Sequence, residues 1–196
     1  MTDLKFTESD HRYSIGGETV ISVTQVIDTL GLSDFSFVSE DALRIAADRG
    51  NKVHKTTELY DRAILNREGL HPTLENYLVS WIKFCRDFNF ELLENETMYY
   101  HPLYKYAGRI DRIGYCNNKL TLVDIKSGIK TKTQPLQTMA YKMLYDYGKP
   151  KAKQIKQRLV VFLSEKGYKI ELHEDPSDQS VFLAALTIHN YKKNLR

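Results

Sequence analysis

The chain has 196 residues and is short of several things. It has only two cysteines, Cys85 and Cys116. Two isolated thiols cannot build the disulfide framework of a small secreted domain, and they cannot hold an iron–sulfur cluster with four cysteine ligands from one chain. No apolar run approaches the ~20 residues that span a bilayer. The segment Met1 to Phe6 lacks the apolar core of a secretory signal. These absences predict a cytosolic protein with reduced thiols and no membrane partner. No internal repeat and no low-complexity segment is visible. A chain of this length buries roughly 70% of its unfolded surface, enough for one domain without a covalent staple.

What is present is unevenly placed. The formal net charge is +3, yet residues 126–158 carry nine Lys or Arg against a single acid, Asp146. A basic block in an otherwise acidic chain points either to a polyanionic partner or to a solvated lysine-rich surface.

Hydrophobic periodicity supplies the elements. Residues 5–20 read as a hairpin, with His11 to Ile15 and Glu18 to Val20 meeting at Gly16-Gly17. Ser22 is placed to cap a short helix that Gly31 ends. A helix is predicted over 39–66, with Leu43, Ala47, Gly50 and His54 on one stripe, and a second over 72–88. Three consecutive strands follow, over 91–100, 104–115 and 119–125, the last two joined at Cys116-Asn117-Asn118. A helix over 135–147, strands over 155–163 and 168–172, and a helix over 176–190 complete the chain. The order predicts an α/β domain built on one central sheet.

The chemistry concentrates in Gly108-Arg109-Ile110-Asp111-Arg112 and Val123-Asp124-Ile125-Lys126-Ser127-Gly128. In a strand, residues i and i+2 share a face, so Asp124 and Lys126 point the same way while Val123 and Ile125 point behind. Asp111, on the preceding strand of the hairpin, can bring its carboxylate to the same face. Two carboxylates suffice for a hard cation that keeps several waters, and a neighbouring lysine can orient a water or stabilise developing negative charge. Such parts suit phosphodiester hydrolysis. An Asp–Lys pair on a strand surface is the plain alternative for the tripeptide alone.

The wider pattern is Gly108-x-x-Asp111-Arg112, Val123-Asp124-x-Lys126-Ser127-Gly128 thirteen residues after the first aspartate, Gln137-x-x-x-Tyr141, and upstream Arg49-Gly50-Asn51-Lys52-Val53-His54. Over residues 39–147 it resembles the RecB-like branch of the PD-(D/E)XK nuclease superfamily. The resemblance implies a restriction-endonuclease-like core, a central mixed β-sheet flanked by helices in the order α-β-β-β-α-β. It implies a single nuclease domain over 1–196, with an N-terminal hairpin and short helix (1–38), a motif-bearing core (39–147) and completing strands with a C-terminal helix (148–196). It implies Mg²⁺ or Mn²⁺ as cofactor, held by His54, Asp111, Asp124 and the Ile125 carbonyl, with Asp111, Asp124 and Lys126 catalytic. Gln137 and Tyr141, four apart on one helix face, are implied to touch nucleic acid, as are Arg109, Arg112, Lys130 and Lys132.

Some residues keep two readings. His54 on an apolar stripe is a ligand or a packed core histidine, and Gly50 is placed to let that helix approach the sheet. Glu58, one turn on, either fixes the imidazole or is a solvated acid. Glu96, on the first strand, is an additional site residue or the cross-strand partner of Arg109 or Arg112. Tyr141 lines the site or packs its helix. The tyrosines at 99, 100, 104, 106 and 115 either pack the sheet or stack on bases.

With no helicase segment, the chain resembles the short free-standing exonucleases of phages and of mitochondrial genome maintenance. Ser22-Val23-Thr24-Gln25 after a hairpin adds to that likeness. The expectation is therefore a DNA exonuclease that hydrolyses phosphodiester bonds with a metal-activated water at single-stranded or duplex ends. It would act in DNA repair, recombination or phage DNA processing, in a bacterial or phage-infected cytosol, with recombination or replication proteins as partners. The alternatives are a non-catalytic DNA-binding or assembly protein on the same fold, and a structure-specific or restriction-type endonuclease.

Overall fold

A computed structural model describes residues 3–7, 10, 12–32 and 38–195. His11, placed on the first hairpin by its sequence, lies outside them. The N-terminal segment holds three short antiparallel strands rather than two: β1 (Leu4–Thr7), β2 (Arg12–Ile15) and β3 (Glu18–Ser22). Ser22 then caps α1 (Val23–Asp28) through a reciprocal pair: its hydroxyl accepts from Gln25 N–H, and the Gln25 side chain accepts from Ser22 N–H.

Helix α2 (Glu40–Asp61) starts at the N-cap Ser39 and stops a turn before the periodicity predicts. Ala63 takes a φ of +56°, and Ala63 and Ile64 donate to the carbonyls of Tyr60 and Leu59. This closure favours glycine, and alanine in its place leaves no sequence signal. The predicted stripe is buried only in its second half. Leu43 and Ala47 are exposed, and burial begins with Val53, Thr56 and Thr57. Helix α3 (Pro72–Asp87) has Pro72 at its first turn and ends in the same closure, with Asn89 at φ +44°.

Strands β4 (Glu91–His101), β5 (Tyr106–Cys116) and β6 (Lys119–Lys126) follow as a meander. Asn117 and Asn118 both take positive φ, the conformation that a two-residue hairpin matching the strand twist requires. Helix α4 (Gln134–Asp146), β7 (Gln157–Ser164), β8 (Gly167–Leu172) and α5 (Ser177–Asn194) complete the order.

All eight strands form one mixed, open sheet. The β3–β5 and β6–β7 pairs are parallel and the rest antiparallel. Helices α1, α4 and α5 pack one face over Ile113 and Leu122, while α2 and α3 pack the other over Val123, Ile125 and Leu159. Trp81 and Phe84, both fully buried, centre the second core. Both cysteines are free thiols. No helix among the described residues is long and apolar enough to cross a membrane.

The pairing of β5 positions the site. One edge of β5 is covered by β4 along most of its length, from Tyr106 to Tyr115. On the other edge β3 covers only Tyr106 and Ala107, and β6 covers Arg112 to Cys116. Among the described residues no strand pairs with 108–111 on that edge, because β3 gives way to α1 and β6 turns to follow β7. Open sheets bind ligands where neighbouring strands part in this way.

Gly114 marks the tightest point of the β4–β5 pair, beside the register shift between Leu92 and Glu94. A Cβ there would lie within 2.5 Å of Phe90 Cε2 and nearer still to the Glu91 carbonyl. Gly114→Ala is therefore expected to cost about 3 kcal/mol, since the backbone of β4 cannot yield as a side chain does. Urea unfolding checks it, and a change below 1 kcal/mol would show that the pair relaxes freely.

Candidate metal centre

The unpaired stretch of β5 floors a cleft of about 1000 Å³. Helix α2 contributes His54, β4 contributes Glu96, β5 Asp111, β6 Asp124 and Lys126, and α4 Gln137 and Tyr141. Asp111 fills the fork between the strands. Its Oδ2 accepts the Ile125 N–H at 2.7 Å, so a side chain takes the place of the missing strand partner.

Three ligand-type side chains converge. His54 Nδ1 lies 3.6 Å from Asp111 Oδ2 and 3.7 Å from Glu96 Oε1. One ligand atom from each of His54, Glu96 and Asp111 falls within 4.8 Å of the others, close enough to share one cation. Burial pushes the His54 pKa down, but Asp111 and Glu96 outweigh it, and the imidazole stands above its ordinary value. The same field that favours a proton there would favour a divalent ion.

Asp124 lies outside this trio. Its Oδ2 is 2.8 Å from Lys126 Nζ, as the strand period predicts. Oδ2 is buried and has no other partner among the described residues, so this ammonium is the group that holds it. Burial raises the Asp124 pKa, and Lys126 only partly offsets it. Burial acts to lower the Lys126 pKa, but Asp124 and Asp111 outweigh it, so the ammonium is held charged. The histidine–carboxylate trio beside this buried ion pair offers imidazole and oxygen ligands, a donor set that fits a hard cation.

No known protein family model and no curated protein matches the chain.

The structure sorts the remaining candidates. Glu96 pairs with both Arg109 and Arg112 and also stands beside His54 and Asp111. It sits between the pairs Asn95↔Arg112 and Thr97↔Ile110, with a φ of +51°, and its carboxylate meets His54 as well as Arg112 and Arg109, the last two at 3.0 and 3.3 Å. Burial opposes its ionisation, but His54, Arg112 and Arg109 hold its pKa below the usual value. Ile125 meets the cluster through its N–H, which donates to Asp111 Oδ2. Glu58 does not fix the imidazole, since its carboxylate is held by Lys55 and Arg62 at the cleft wall. Gly50 is not required by close approach, because a Cβ there would meet Ser127 Oγ at an ordinary 3.7 Å. Gly108 is the tight position: a Cβ would lie 2.8 Å from the Tyr141 ring.

Gln137 Nε2 donates to Tyr141 Oη at 3.0 Å, and both side chains line the cleft. Arg109 lines it too, with its guanidinium 5.1 Å from the centre of the Phe6 ring. Arg112 does not reach nucleic acid: its side chain is completely buried, occupied by Asp61, Glu96, Thr57 and the Asp111 carbonyl. Lys132 is exposed, and Lys130 is exposed and paired with Glu171. The basic block is not one surface. Arg158 is buried against Asp178 and the Pro135 carbonyl, and Lys142 is engaged by Asp146 and the Ile155 carbonyl.

The tyrosines of β4 and β5 mostly pack. Tyr106 is fully buried, with its hydroxyl on the Ala140 carbonyl, while Tyr99 and Tyr104 pack against the core and Tyr100 beneath the N-terminal strands. The aromatic residues in the cleft, besides Tyr141, are Phe6 and Tyr13, whose rings meet at 4.8 Å. They come from strands whose junction with β5 is parallel and long-range, which no local pattern announces.

Proposed function

We propose that this chain is a Mg²⁺- or Mn²⁺-dependent deoxyribonuclease of the PD-(D/E)XK type, RecB-like branch, acting on DNA ends. The observation that carries the reading is the convergence of His54, Glu96 and Asp111 beside the Asp124–Lys126 pair at the cleft floor. His54, Glu96 and Asp111 would hold the cation, and Asp124, paired with Lys126, lies in the field of the same carboxylates. A bound divalent ion would supply an acidified water and offset charge on the phosphate. Lys126, kept charged by Asp124 and Asp111, directs its ammonium toward the charge that develops on the phosphate. Arg109 stands at the wall, 41% exposed, where it can meet a neighbouring phosphate.

The preference for ends rests on the resemblance of the motifs to those of free-standing exonucleases. At about 1000 Å³ the cleft is comparable with large small-molecule sites. With Mg²⁺ or Mn²⁺, linear DNA is expected to be degraded while covalently closed circles of the same sequence persist. Rapid cutting of closed circles would replace the exonuclease reading with an endonuclease.

A further inference from the structure

The network behind Glu96 continues past Arg112. Arg112 Nε donates to Asp61 Oδ2 at 2.6 Å, and Nη2 donates to Thr57 Oγ1 at 3.1 Å. Nη1 donates to Glu96 Oε1 at 3.0 Å and to the Asp111 carbonyl at 2.7 Å. The other oxygen of Asp61 accepts from Trp81 Nε1 at 2.9 Å, and the Trp81 ring lies 5.6 Å from the guanidinium. Trp81 is the only tryptophan in the chain.

Two features make this more than a buried ion pair. Glu96 adopts a left-handed φ that an L-residue rarely takes, so the alternation of β4 does not set where its carboxylate goes. What holds the carboxylate dictates it. The guanidinium is also a rigid fork, so whatever fixes its plane fixes Glu96 relative to α2. Arg112 on Glu96 alone would compete with a cation for Oε1. Asp61 shares the positive charge, so that Arg112 can orient Glu96 without neutralising it.

We infer that Asp61, assisted by Thr57, is a positioning residue that sets Glu96 as a ligand by acting through Arg112, and that Trp81, bonded to the same carboxylate, reports occupancy of the centre. The inference rests on the metal-centre reading above. Groups that orient metal ligands typically account for 10–100-fold in affinity.

The test is calorimetric titration of Mn²⁺ into the full chain as wild type, Asp61→Asn and Thr57→Val, with thermal unfolding of each, and Mg²⁺ titration of the wild type followed by Trp81 emission. Asp61→Asn is expected to weaken Mn²⁺ binding about 10-fold or more, and Thr57→Val to weaken it by less. Trp81 emission is expected to change on adding Mg²⁺. A purely structural role would lower the melting temperature and leave Mn²⁺ affinity alone. Folded variants that bind Mn²⁺ within twofold of wild type overturn the inference. If Asp61→Asn does not fold, Thr57→Val decides by the same criterion. Emission indifferent to saturating Mg²⁺ removes the reporter role. A wild-type chain that binds neither ion overturns the metal-centre reading itself, and this inference with it.

Discussion

Lys126→Ala is expected to lower the rate of DNA cleavage by about 10³-fold while leaving DNA affinity within a few-fold of wild type. The split follows from where the ammonium sits. Lys126 Nζ is 2.8 Å from Asp124 Oδ2 at the floor of the cleft, with its side chain only 25% exposed. It is too deep to act as one of several interchangeable backbone contacts, so its removal costs at most one phosphate interaction in binding. In the transition state it faces charge that water does not screen, where a fixed donor is worth most. The variant also leaves Asp124, 2% exposed, without its cation. Burial already raises the Asp124 pKa, and losing Lys126 pushes it further toward the neutral acid, a weaker neighbour for a metal ion. Single-turnover cleavage of a labelled oligonucleotide, set beside fluorescence anisotropy of the same oligonucleotide, separates the two quantities. Cleavage within tenfold of wild type would remove Lys126 from the chemistry.

The second large effect is on stability. Arg112→Met is expected to destabilise the fold by about 3–5 kcal/mol. Methionine can follow much of the arginine stem, so packing is largely kept and the loss is electrostatic. Asp61 and Glu96 would remain buried, with side-chain exposures of 9% and 10%, and no guanidinium between them. The Thr57 hydroxyl and the Asp111 carbonyl would each lose a donor as well. A buried charge that loses its partner costs far more than the intact pair contributes over a hydrophobic substitute. Urea unfolding at neutral pH measures the change. A loss under 1 kcal/mol would mean that water reaches these carboxylates freely.

How far the sequence announced this arrangement depends on how local each cause is. The pairing of Asp124 with Lys126 follows from strand period alone, and the turn at Asn117-Asn118 from residues that tolerate positive φ. The element order follows from periodicity, with ends off by a few residues where alanine or asparagine closes a helix without glycine. Glu96 was legible only as one of two roles, because its left-handed backbone breaks the alternation that assigns side chains to faces. Arg112 reads as a basic residue beside the Asp111 motif. Its burial depends on Asp61 and Thr57, more than fifty positions away on α2. Phe6 and Tyr13 enter the cleft only because β3 pairs in parallel with β5. Two residues of contact carry no periodic signature. The basic block misled for a related reason: Lys142 and Arg158 are spent on interior acids and carbonyls, which a count of charge along the chain cannot see.

The most direct measurement is digestion of 5′- and 3′-end-labelled single- and double-stranded oligonucleotides by the wild-type chain with Mg²⁺ or Mn²⁺, with and without a chelator. Stepwise shortening from an end that requires the metal, stops with the chelator and is lost in Lys126→Ala is the predicted result. Oligonucleotides left intact under every metal, or cleavage indifferent to the chelator, would contradict it.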